Sequence, residues 1–168
     1  MRRRLFQELD LDTKVTVRET YKLGRLRHRD PAEGSADIWR DAATGMVVEE
    51  EYLRHGRLHR LDGPAAWARD PDGGIVTVEN YWRNGRRHRD PKEGPAEISR
   101  DIATGIVFYE YYWMDGVNYR DPQDGPCWIH WDRTTGKVTH KGYADPADAP
   151  SPARPARRSV PARSAKTP

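Results

Sequence analysis

The residues of this chain that could do chemistry come in sets, one member to each stretch of about thirty residues. His28, His59 and His88 form one set, with the side chain that most often ligates a metal. Asp41, Asp70, Asp101 and Asp132 form a second, and Glu19, Glu50, Glu79 and Glu110 a third. A facing Asp and Glu is a pairing that general acid–base catalysis uses. Cys127, the single cysteine, is a candidate nucleophile and excludes an intrachain disulfide. The same periodicity gives each set a structural role. Copies two strands apart on a sheet stand about 10 Å from one another, whereas zinc takes its ligands at about 2.0–2.1 Å. Three histidines on successive copies therefore do not share one ion. Each Asp opens a turn, where its carboxylate accepts from nearby backbone amides. Cys127 takes the place of Ala36, Ala65 and Ala96, where a small buried side chain is wanted, and no singular base stands by to activate it. The sequence therefore predicts no enzyme, no metal and no cofactor.

Behind the sets lies one repeated unit. Tyr21, Tyr52, Tyr81, Tyr112 and Tyr143 are spaced 31, 29, 31 and 31 residues apart. Gly24, Gly56, Gly85 and Gly116 mark a first turn; Gly45, Gly74, Gly105 and Gly136 mark a second. A fixed period of this size is the signature of an array in which each copy leans on its neighbours. The run from Gly105 to Trp113 is β-branched and aromatic, bounded by glycines, and too short for a solitary helix. Asn84-Gly85 is a strong hairpin signal. Asp101-Ile102-Ala103-Thr104-Gly105 forms a type I turn closed by a glycine with positive φ, repeated from Asp41 and from Asp132. These features predict an all-β fold: an antiparallel β-hairpin repeat array of four units, one elongated twisted sheet of eight or nine strands with almost no helix. Residues 15–143 form the array, 1–14 an N-terminal cap, and 144–168 a disordered tail. Strand alternation puts each Glu on the face of its Tyr. A ladder of ion pairs from those Glu to Arg29, Arg60, Arg89 and Arg120 is expected. The two sheet ends offer edges for self-association.

Leu, Ile, Val and Phe account for only 26 of 168 residues, so six Trp and eight Tyr must carry much of the apolar area. That favours a thin repeat sheet over a thick core. Residues 144–168 hold five basic and two acidic side chains, leaving the body with 24 of each. A neutral body argues against a broad nucleic-acid surface. The Pro-, Ala- and Arg-rich tail, with Arg154, Arg157, Arg158 and Arg163, is either a spacer or solubilising segment or an electrostatic candidate for nucleic acid or an acidic partner. No apolar run is long enough to span a membrane. Met1-Arg2-Arg3-Arg4 is followed by Leu5-Phe6-Gln7-Glu8-Leu9-Asp10, which turns acidic before an apolar stretch can form and predicts a cytoplasmic protein.

The run Tyr81-Trp82-Arg83-Asn84-Gly85-Arg86-Arg87-His88 resembles the MORN repeat. Gly63-Pro64, Gly94-Pro95 and Gly125-Pro126 are similar to the variant MORN repeats of bacterial proteins. The resemblance covers residues 15–143. It departs where Arg29, Arg60, Arg89 and Arg120 replace a glycine, and where an insertion such as Asp90-Pro91-Lys92-Glu93 lengthens the unit. The resemblance implies a scaffold or adaptor that binds a protein or lipid partner, or an antitoxin-like protein that neutralises a toxin.

A site on a repeat protein is expected where one copy breaks the pattern. The last copy does so most. Tyr119 replaces His, Trp128 replaces Asp37, Ala66 or Glu97, and Trp131 replaces Arg40, Arg69 or Arg100. With Tyr111 and Trp113 these predict an aromatic cluster near the C-terminal end, which is either a capping core over the last strand, a partner-binding hot spot of the kind Trp and Tyr dominate, or an aromatic ligand pocket.

Overall fold

The structure, a computed structural model, describes residues 2–150. Ten strands follow one another in sequence and in space: β1 (Arg3–Leu9), β2 (Thr16–Leu23), β3 (Asp37–Arg40), β4 (Val47–Glu51), β5 (Ala66–Arg69), β6 (Val76–Asn80), β7 (Glu97–Arg100), β8 (Val107–Tyr111), β9 (Trp128–Trp131) and β10 (Val138–Gly142). Every neighbouring pair is antiparallel. The all-β hairpin array is what forms, with helix among the described residues confined to two 3-10 turns, Pro31–Glu33 and Pro146–Asp148. The tail arginines Arg154, Arg157, Arg158 and Arg163 lie outside the described residues.

The strand in excess of the expected number is β1, which occupies the segment expected as a cap. Asp10 closes it with the turn used inside the array. Its Oδ1 accepts from the Thr13 amide and the Thr13 hydroxyl, both at 2.8 Å. Lys14 takes the glycine position at φ 61°. The cap is thus a half copy of the repeat. Asp41, Asp101 and Asp132 hold their turns in the same way. Each of these turns follows a one-residue irregularity in the strand register.

After Tyr52, Tyr81 and Tyr112 the chain leaves the main sheet and folds into short ribbons. Leu53–Arg54 pairs with Arg57–Leu58, Trp82–Arg83 with Arg86–Arg87, and Trp113–Met114 with Val117–Asn118. In the first copy, Leu26–Arg27 instead pairs back onto the end of β2. The ribbon turns His55-Gly56, Asn84-Gly85 and Asp115-Gly116 have positive φ at both residues, the primed geometry whose twist suits a hairpin. The copies also join through backbone bonds: the amides of Gly56, Gly85 and Gly116 donate to the carbonyls of Arg27, Leu58 and Arg87 at 2.8–2.9 Å. A second, narrower stack therefore runs beside the main sheet, creased along the tyrosines. Ala36, Ala65 and Ala96 sit on that crease with no exposure at all, and Cys127 with 3%.

The expected ladder from the tyrosine-face Glu to Arg29, Arg60, Arg89 and Arg120 does not form. These guanidinium groups lie over Tyr21, Tyr52, Tyr81 and Tyr112, 4.0–4.4 Å from the ring centroids. Arg29, Arg60 and Arg89 also donate to the carbonyls of Ser35, Pro64 and Pro95. A Cβ on Gly34, Gly63, Gly94 or Gly125 would come within 3.0–3.1 Å of the guanidinium. The Arg and the glycine of the inserted loop are thus two halves of one packing arrangement. The Glu row finds other partners: Arg40 meets Glu19 at 3.3 Å and Arg100 meets Glu79 at 2.6 Å. Glu50 accepts from Ser35 and from the Trp67 indole.

Candidate aromatic site on the last copy

The repeated histidines hold the copies together. Nδ1 of His28, His59 and His88 accepts the backbone amide of His55, Asn84 and Asp115, the first turn residue of the next ribbon, at 3.0–3.2 Å. An accepting Nδ1 places the proton of a neutral ring on Nε2. Burial holds His28 and His59 below their ordinary pKa, which keeps them in that accepting state. Among the described residues no group of three His, Cys, Asp or Glu has metal-site geometry. Burial raises the Cys127 thiol above its usual range, opposing the thiolate a nucleophile needs. The turn carboxylates of Asp41, Asp101 and Asp132 are held low by their own Thr hydroxyls and amides.

Tyr119 stands where the other copies carry His, and its departure has a local cause. No further ribbon follows Asn118 among the described residues, so no turn amide waits for an imidazole. Trp131 takes the position of Arg40 and Arg100. Glu110, the carboxylate those arginines would meet, has no ion-pair partner within reach among the described residues. Burial raises its pKa, offset in part by the charges of Arg100 and Arg120. Trp113 lies in the ribbon stack. Its ring and that of Trp82 flank the Arg87 guanidinium at 5.3 and 5.2 Å.

Of the five aromatic residues expected to cluster, the structure brings together Tyr111 and Trp128, with ring centroids 6.5 Å apart and planes 26° from parallel. Trp113, Tyr119 and Trp131 lie elsewhere. The cluster is completed by residues that follow no repeat rule in the sequence. His130 sits 4.8 Å from Trp128, 5.6 Å from Tyr111 and 4.4 Å from Tyr109. Its Nε2 shares a 2.7 Å hydrogen bond with the Tyr111 hydroxyl. His140 approaches His130 edge-on at 6.4 Å. Burial, then the nearby His140, lowers the pKa of His130, favouring a neutral ring.

Gly142 makes room for this arrangement. It faces Trp128 across the strand pair, and any Cβ there would overlap the indole. The corresponding residues before the tyrosine in earlier copies are Glu51, Asn80 and Tyr111, so the glycine was a signal in the sequence. Cross-strand register shows how far the last copy departs. The row through Asp37, Glu51, Ala66, Asn80 and Glu97 ends in Tyr111 and Trp128. The next row on that face runs Trp39, Glu49, Ala68, Val78 and Ser99, then Tyr109, His130 and His140. At the other end of the face, wholly buried Asp37 accepts from Thr20 at 2.5 Å and Arg27 at 2.8 Å; Arg27 also reaches Glu51 at 2.7 Å. There the carboxylates are met by arginines, Arg18 as well as Arg27, whereas the far end of the face offers aromatic rings, with Tyr109 38% exposed.

The chain matches none of the protein-family models, curated proteins or solved structures with which it was compared. Among the described residues no helix is long and apolar enough to cross a membrane.

Proposed function

We propose that this protein is a non-enzymatic interaction module, a scaffold or adaptor of the MORN kind, whose partner protein docks on the aromatic face of the last copy. The observation that carries the reading is the change of one sheet face, from two rows in which Trp39 is the one aromatic ring among mostly acidic, polar and small residues, to Tyr109, Tyr111, Trp128 and His130 over two strands. Rigid aromatic rings with a polar edge lose little side-chain entropy on contact and bury large areas, which is why they anchor interfaces. The packing of Trp128 over Gly142 supports the reading by holding the indole in place before any partner arrives.

The test is affinity capture from a native lysate with wild type, Trp128→Ala, Tyr111→Ala and Trp113→Ala in parallel. Loss of a stoichiometric protein with the first two, and retention with Trp113→Ala, is the expected pattern. A partner that stays bound to Trp128→Ala sinks this assignment. A captured partner that is itself toxic when expressed alone makes the module an antitoxin.

A further inference from the structure

The first strand of the array is an open edge. All seven residues of β1 are exposed, and Leu5, Phe6 and Leu9 are 45, 46 and 48% accessible. Natural sheets blunt their open edges with charged side chains, lysine above all, with proline, bulges or extreme shortness. β1 carries no lysine and no proline, its register irregularity comes only at its end, between Glu8 and Leu9, and its charges, Arg3, Arg4 and Glu8, are of both signs. At the far end, β10 is two residues shorter and carries Lys141.

The outward hydrogen-bonding groups of β1 follow from its register with β2. The Gly24 amide donates to the Arg2 carbonyl, so Arg2 faces β2, and by alternation so do Arg4, Phe6 and Glu8. The Tyr21 amide donates away from β1, to Ala36, which fixes the same parity from the other side. Arg3, Leu5 and Gln7 are therefore the residues whose amides and carbonyls face outward.

We infer that β1 pairs antiparallel with β1 of a second copy of this chain, about a two-fold axis through Phe6. Parity permits this register: Leu5 meets the second copy's Gln7 as a doubly hydrogen-bonded pair, and Gln7 meets Leu5. Phe6 then meets its own equivalent, and Arg4 meets Glu8 twice, in the closer, non-hydrogen-bonded positions. Inside one chain Arg4 stands across from Lys22, a like-charge pairing, and the second copy's Glu8 answers that charge. The Lys22 ammonium, 4.6 Å over the Phe6 ring, caps the same face. An isologous contact of this kind closes on itself as a dimer and builds one sheet of twenty strands instead of an open fibre. The charges of β1 thereby select a second β1 over an unrelated edge.

The test uses the full chain. In Phe6→Cys the two new thiols meet across the axis, since the native Cys127 is buried. Mild oxidation should give a covalent dimer in Phe6→Cys and none in wild type. Adding Arg4→Glu should weaken association by about tenfold, and adding Glu8→Arg to both should restore it. Within the chain Arg4→Glu creates an attraction to Lys22 and Glu8→Arg a repulsion from Arg18, and thermal melts of each variant check that β1 stays on its own sheet. Light scattering of wild type from micromolar to millimolar concentration reads the same equilibrium. A monomer throughout, an absent crosslink, or a crosslink indifferent to Arg4→Glu overturns the proposal. A concentration-dependent ladder of higher oligomers also overturns it, because that places association end to end through β10.

Discussion

Two glutamates in the same row of the repeat lead to opposite expectations. Glu79 is met by Arg100 at 2.6 Å, with both side chains about three-quarters buried. Glu79→Gln removes a charge-assisted bond from a partner that stays put. It should destabilise the fold by about 1 kcal/mol, read as a drop in melting temperature of a few degrees. Glu110 is desolvated without an ion-pair partner because Trp131 stands where an arginine would. Glu110→Gln removes a charge that burial opposes, so it should leave the melting temperature unchanged or raise it. Equal losses in the two variants would show that the ion pair at Glu79 contributes nothing. Arg89→Lys belongs at this scale too. It keeps the charge but gives up the planar contact with Tyr81 and the bond to the Pro95 carbonyl, and should cost about 1 kcal/mol in the same melts.

Between neighbouring elements, the imidazole-to-amide contact is the part that titrates. His28 and His59 accept through Nδ1 and have pKa values below the ordinary 6.5. The folded form therefore binds these protons less readily than the unfolded chain. Their contribution is complete above about pH 6.5 and is lost as pH falls below it. Glu49 and Glu110, whose pKa values burial raises, oppose this loss, since protonation relieves their desolvation. Comparing His59→Asn with wild type isolates the histidine. The asparagine oxygen can still accept but does not titrate, so the fall in melting temperature between about pH 7.5 and about pH 5.5 should be smaller in the variant. Much at this scale was legible from residue types alone. Asp-x-x-Thr-Gly and Asn-Gly carry their geometry in the local backbone, and a two-residue alternation fixes which side chains share a face. What escaped depends on where alternation stops. Tyr111 and Trp113 are two apart and would share a face in an unbroken strand, but the chain turns off the sheet at Tyr112 and sends them to different stacks. The same crease carries the arginines after each histidine over the tyrosine rings and away from the Glu row.

Across the whole molecule, stability rests on contacts between successive copies. The buried residues are few among those described, and the line along the crease, Ala36, Ala65 and Ala96, is both small and wholly buried. Filling that line should be felt at once: Ala65→Leu has no space to enter and should cost about 1–3 kcal/mol, measured by denaturant unfolding. The period, strand class and sheet order were readable in the sequence because they repeat. The aromatic site was only half readable, since two of its rings come from His130 and Tyr109, which follow no repeat rule, and its geometry depends on Gly142.

The difference between histidine and tyrosine after the first turn also bears on how such a chain changes its length. A copy that carries His reaches forward to a turn amide, and the copy with Tyr119 has no further ribbon ahead of it among the described residues. An internal copy brings both the reaching imidazole and the amide that receives one. Duplicating such a copy in the gene would insert a segment already matched at both junctions, leaving the first strand and the final aromatic copy untouched. The distance between the two ends can thus be adjusted in steps of two strands, roughly 10 Å, without redesigning either end.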